Sequence, residues 1–283
     1  MLTKKIDLNE TSIESALEKS GLNYIINQSE VMNGLTLKHV DGYKALYRSD
    51  TNESLSIVGH NYTVFQNYEA FSFFDIICKE HGTTINKIYE FNNGKKIVIE
   101  AMGEKNLTVG KGDICQTGYK LVNGFDGKTS TVITFEVKRL VCLNGMTASD
   151  KSMENSISLK HTKNMRSRIE EALRVFASSQ EYFKIFEEKA NYLAQKIIDK
   201  DMVEMTLKEL FGESKKMDKV KDVVNHLFKS GKGNNGETAW DLYNGITEYA
   251  DHYSRRDNDD MIEYSLGSGS QLKNDAFNLV MSL

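Results

Sequence analysis

Proline is absent from the 283 residues, where an average usage of about 5% would place roughly 14. Arginine is scarce too, with 7 against 29 lysines, and the two biases together resemble AT-rich coding. Cysteine occurs three times, as Cys78, Cys115 and Cys142, an odd set without a CxxC pair. That argues against a disulfide framework or a structural zinc site and for a reducing cytoplasm. Met1 to Asn9 is polar and charged, unlike a signal peptide. No stretch approaches the roughly 18 apolar residues of a membrane span, so neither secretion nor membrane insertion is expected. What the chain does have, 40% hydrophobic and 27% charged residues, suffices for a soluble globular fold of one large domain or two modest ones.

Net charge is -4, but its distribution is uneven. Residues 104–168 carry 11 basic against 6 acidic side chains, while both flanks are net acidic. Arg139, Arg166, Arg168 and Arg174 lie in or just beyond this block, and such asymmetry suggests an anionic partner for the middle segment.

Residues 1–53 carry no clear pattern, and 54–160 read as strands broken by one helix. Leu55 to Val58 is a short strand. Asn67 to Glu80 is the helix, with Asn67 as its expected N-cap, Ala70, Phe71, Phe74, Ile77 and Cys78 on one stripe, and Gly82 as its stop. Ile85–Phe91 and Lys96–Met102 flank Asn92-Asn93-Gly94, a tight hairpin signal with positive φ. A second hairpin pairs Ile114–Val122 with Thr129–Leu143 across residues 123–128. One curved antiparallel sheet with a helix on one face is the expectation.

From residue 161 onward the period is helical. Met165, Ile169, Ala172, Phe176, Ser179, Phe183, Phe186, Ala190, Leu193 and Ile197 follow steps of four and three, predicting one long amphipathic helix. It either packs on the sheet or forms an oligomer seam with Phe183 and Phe186 at its centre. Further helices are predicted over Met217–Lys229 and from Thr238 to about Tyr253, with Trp240 in the core beside Tyr243, Thr247 and Ala250. The fold class is therefore α+β, with a mostly helical region over 161–283.

Several motifs together resemble the phage- and plasmid-encoded domain-of-unknown-function 932 family. They are Val58-Gly59-His60-Asn61-Tyr62 with Gln66-Asn67-Tyr68-Glu69-Ala70-Phe71, then Arg139-Leu140-Val141-Cys142-Leu143-Asn144, then His161-Thr162-Lys163-Asn164-Met165-Arg166. Trp240-Asp241-Leu242-Tyr243-Asn244 with Thr247-Glu248-Tyr249-Ala250-Asp251-His252, and Gly267-Ser268-Gly269, complete the order. The resemblance covers about Leu55 to Ala276. It implies a mobile-element protein and transfers no catalytic site, because that family has no settled activity.

Catalytic chemistry finds little support. Gly231 to Gly236 has the spacing of a phosphate loop, but Glu237 stands where a Walker loop needs lysine, so a helix connector or at most a backbone-phosphate cradle is expected. Glu248, Asp251 and His252 share a helix face and are candidates for a divalent metal or for polar contacts in a helical layer. Cys142 in an apolar strand is expected to be inert, and the six histidines lack ligand spacing. Neither a cofactor nor a catalytic residue is assigned.

The basic block supports more. Lys120 and Lys128 flank the second hairpin, Lys138 and Arg139 end its return strand, and Lys160, His161, Lys163, Arg166 and Arg168 lead into the long helix. Together they are the expected DNA contacts, with Tyr119 and Phe125 as rings to stack unpaired bases. The leading expectation is a non-enzymatic, homo-oligomeric protein of a phage or plasmid that binds single-stranded DNA in recombination or replication, resembling in layout the ring-forming annealing proteins. A protein-interaction module that counters a host defence or regulates the element is the rival, and a metal-dependent nuclease the third reading.

Overall fold

The computed structural model describes residues 1–10, 12–146, 156–176, 179–255 and 257–283. The chain divides into two compact units, the first comprising Met1–Gly103, Tyr119–Thr134 and Ser156–Ser178, the second Glu104–Gly118, Phe135–Asn155 and Ser179–Leu283. The expected α+β class holds, with a strongly curled antiparallel half-barrel sheet in the N-terminal part and helices in the C-terminal half.

In chain order the strands and helices begin with β1 (Leu2–Glu10), α1 (Ile13–Ser20), β2 (Ile26–Met32), β3 (His39–Arg48), β4 (Ser54–Gly59), α2 (Asn67–His81), β5 (Thr83–Phe91) and β6 (Lys96–Val109). The sheet continues with β7 (Asp113–Gly124), β8 (Thr131–Arg139), β9 (Gly145–Met146) and β10 (Ser156–Leu159). Its order is β1-β5-β6-β7-β8-β10, with β9 also on β8. Residues 1–53, which carry no clear pattern in the sequence, supply β1 to this sheet, in register Ile6 to Ile88. They also supply β2 and β3, which with β4 make a separate three-stranded sheet. The strand expected at Leu55–Val58 thus belongs to that small sheet, Ala45 facing Ile57, and not to the curled one.

Within the first unit, the β5–β6 turn follows its sequence signal, with φ of 50°, 56° and 97° at Asn92, Asn93 and Gly94. Helix α2 buries Ala70, Phe71, Phe74, Ile77 and Cys78 and stops at Gly82, whose φ of 61° is left-handed. Its N-cap is Gln66 and not Asn67. The Gln66 amide is pinned to β2, accepting from Ile26 N–H at 2.8 Å and donating to its carbonyl at 3.0 Å, and its own N–H donates to Glu69 at 2.9 Å. Asn67 instead turns inward and donates to Leu22 O at 3.0 Å.

The long helix expected from the sequence is described over α3 (Met165–Phe176) and α4 (Ser179–Gln195), with 177 and 178 outside the described residues. They belong to different units, α3 burying Met165, Ala172 and Phe176 in the first. In the second, Phe183 lies against Phe135 at 6.0 Å and Phe186 stacks on Phe277 at 5.9 Å. Both phenylalanines are therefore spent on the unit's own core and do not form an open seam. Ile197 lies beyond α4 and is exposed.

The rest of the second unit is α5 (Lys200–Phe211), α6 (Lys215–Ser230), α7 (Ala239–His252), α8 (Asn258–Leu266) and α9 (Ser268–Ser282). Thr238 caps α7, accepting from Asp241 N–H at 3.2 Å, and the Asp241 carboxylate returns the bond to Thr238 N–H at 3.1 Å. Among the described residues no helix is long and apolar enough to cross a membrane.

Candidate nucleic-acid interface

In the first unit, the segment after β4 and the segment before α3 are knitted together. Thr63 N–H donates to His161 O at 3.1 Å, and His161 Nδ1 lies 3.1 Å from Thr63 O. The Tyr62 ring stacks on the His161 ring at 4.8 Å, nearly parallel, and its hydroxyl donates to Gly124 O at 2.9 Å. Beneath them Thr131 Oγ1 donates to Asn123 Oδ1, and Asn123 Nδ2 to Phe65 O. A buried polar network with every member paired in this way holds one geometry.

His161 is thereby a structural residue, not a phosphate contact. Burial lowers its pKa, and burial lowers that of His81 too. An unfolded histidine titrates near 6.5, so below that pH the unfolded chain binds protons that the native state refuses. Stability is then full above about pH 6.5 and falls as pH drops toward the native values. Urea midpoints at about pH 7.5 and about pH 5.5 should show the loss, and His161→Gln should remove part of it. An identical pH response in the variant would refute the assignment.

What the network supports is a polar cleft of 440 Å³ whose lining includes Lys44, His60, Asn61, Tyr68, Lys163 and Arg166. Two of the motifs quoted above, 58–71 and 161–166, therefore form one surface. Lys44 is half-buried and donates to Tyr62 O at 2.7 Å, and burial lowers its pKa. Arg166 is exposed and gives Nε and Nη2 to Glu69 Oε1 at 2.9 and 2.6 Å, a surface pair of small energetic weight. Lys128, Lys160, Lys163 and Arg168 are exposed as well. Leu159 faces Thr131 across the β8–β10 ladder, which brings Lys160 beside the loop that carries Lys128.

Other expected contacts do not reach this surface. Tyr119 is 1% exposed, wedged between His81 and Phe176 at 5.2 and 6.0 Å, and Phe125 is 0% exposed, so neither ring can stack a base. Lys120 is buried because β7 is covered on both faces over Thr117–Leu121. Lys138 is half-buried and lies with Arg139 in the second unit. The contributors that sequence reasoning missed are Lys44, His60 and Tyr68. Tyr68 had a signal: it stands four residues before exposed Ser72, off the apolar stripe of α2.

Arg139 is 1% exposed and spends its guanidinium on its own unit. Nε donates to Asp113 Oδ2 at 2.6 Å, Nη1 to Lys232 O at 2.7 Å and Asn234 Oδ1 at 3.0 Å, and Nη2 to Gly233 O at 2.9 Å. The same Asp113 oxygen accepts from Trp240 Nε1 at 2.8 Å. This explains the glycine-rich turn: its carbonyls face Arg139, while Lys232 N–H donates to Glu248 and the N–H groups of Asn235 and Glu237 to Asp241. Donors so committed leave no phosphate cradle.

Glu248, Asp251 and His252 part company in the same way. Asp251 accepts from Lys273 Nζ at 2.7 Å and Gly145 N–H at 2.9 Å, and His252 Nε2 lies 3.2 Å from Cys142 O and 3.0 Å from the Asn144 amide. Among the described residues no group of His, Cys, Asp and Glu is arranged to hold a metal ion. All three cysteines are buried and free, and burial pushes Cys78 and Cys115 up to about 12 and raises Cys142, so none is a ready nucleophile.

No curated protein and no solved structure matches the chain. The model of one family, the domain of unknown function DUF932, does match it, over residues 54–268. That span includes the segments on both sides of the first unit's cleft and the Arg139–Asp113–Trp240 cluster of the second, and the chain belongs to the DUF932 family.

Proposed function

We propose that this is a non-enzymatic nucleic-acid-binding protein of a mobile element, phage or plasmid, that holds single-stranded DNA on its first unit during recombination or replication. The observation that carries it is the cleft at the junction of the 58–71 and 161–166 motifs, lined by Lys44, Lys163 and Arg166 and neighboured by Lys128 and Lys160. Lys128, Lys160 and Lys163 have no acidic partner among the described residues, so phosphates are the natural counter-charge. Neutralising the phosphates of two strands while leaving base edges open would lower their repulsion and allow pairing without ATP. Homo-oligomers would join equivalent patches along a longer strand.

The triple variant Lys128→Ala/Lys160→Ala/Lys163→Ala should stay folded, since all three side chains are exposed. Filter binding over a salt series should show the slope of log affinity against log salt reduced by about 2, at about 0.7 per phosphate on single strands. An unaltered slope in the folded variant would make these ordinary surface charges. A specific feature favours the rival protein-interaction reading: Leu140, Val141 and Leu143 of the 139–144 motif are exposed, with Leu143 held at φ 60°. Absence of DNA retention at low salt would turn the assignment toward that loop.

A further inference from the structure

We infer that the cleft of the first unit seats one unpaired nucleotide, with its base on the Tyr68 ring and its phosphate among Lys44, Lys163 and Arg166. Tyr68 is 52% exposed on the solvent side of α2 and lines the same 440 Å³ cleft as the three cations. A cleft of that size falls in the small-ligand range. Lys44 supplies the second, independent indication. Lys44 is half-buried and its ammonium gives one hydrogen bond to a neutral carbonyl, while Glu30, its cross-strand neighbour on β2, is exposed and lies 3.7 Å from His39. Partial burial disfavours the charged form of Lys44, and an anion in the cleft would offset that cost. Glu69 is engaged by Arg166 through Nε and Nη2, which leaves Nη1 for a phosphate oxygen. A base can lie on Tyr68 only when it is out of a duplex stack, so this ring would be the element that favours unpaired strands.

The inference rests on the strand-binding reading of the first unit, and one comparison separates the two. Affinity is measured for a thymidine oligonucleotide and for an abasic strand with the same number of phosphates. The wild-type protein should prefer the thymidine strand by about 5- to 150-fold, the range for one stacked base. Tyr68→Ala should erase that preference while leaving abasic affinity unchanged, and Tyr68→Trp should keep it. Lys44→Gln should weaken both strands alike. Equal wild-type affinity for the two strands would overturn the nucleotide seat and leave strand binding intact. So would a Tyr68→Ala variant that loses affinity equally for both. Retention of neither strand would overturn the strand-binding proposal itself.

Discussion

Replacing Arg139 by alanine is expected to destabilise the protein by about 3–5 kcal/mol, the cost of breaking a buried charge pair from one side. Asp113 would lose its charged partner, and the carbonyls of Lys232 and Gly233 and the Asn234 amide would lose donors in a largely buried cluster. Native domains are stable by only about 5–15 kcal/mol, so the variant should sit near the edge of folding. Arg139→Lys should rescue little. One ammonium cannot reach a carboxylate, two carbonyls and an amide that a planar fork reaches together. Urea unfolding checks this through the shift in midpoint. A variant of native stability with weakened DNA binding would reverse the assignment and return Arg139 to the nucleic-acid surface.

The second large effect is expected at Trp240, where alanine should cost about 3–5 kcal/mol. The indole is buried, edge-on to Phe186 at 6.5 Å and tilted against Tyr243 at 5.8 Å, and its N–H donates to Asp113. Wild-type emission should accordingly be blue-shifted and resist quenching by iodide. Because Arg139 and Trp240 share one Asp113 oxygen, their losses should not add, and a double-mutant cycle should show coupling of roughly 0.5–3 kcal/mol. Strict additivity in circular-dichroism melts would mean that the shared carboxylate is not the link. An exposed fluorescence spectrum in the native protein would remove Trp240 from the core altogether.

Much of this chain was legible locally. The Asn92-Asn93-Gly94 turn, the Gly82 stop, the helix start at Thr238 and the apolar stripes of α2 and α7 depend on backbone preferences and side-chain periods within a few residues, so the sequence states them directly. The α+β class follows from those elements, and the order of five motifs carries the family. Even the burial of Arg139 had a local sign, since Ile133, Phe135, Val137 and Arg139 fall on one face of a period-two strand. Reading that residue as a surface cation gave composition more weight than parity.

Tertiary structure alone decided the rest. Whether a lysine or ring on a strand meets solvent depends on what covers the strand, and β7 is covered on both faces, which took Lys120 and Tyr119 out of reach of any ligand. The partners that Arg139 finds on the glycine-rich turn lie more than ninety residues away, so no short window of sequence contains both sides of that contact. The cleft of Lys44, Tyr68 and Lys163 has the same origin. Its walls come from β3, the start of α2 and the approach to α3, joined by the Tyr62–His161 stack. Period and propensity specify which face of an element is buried, while the identity of the neighbour is set by long-range packing, and binding surfaces are made of neighbours.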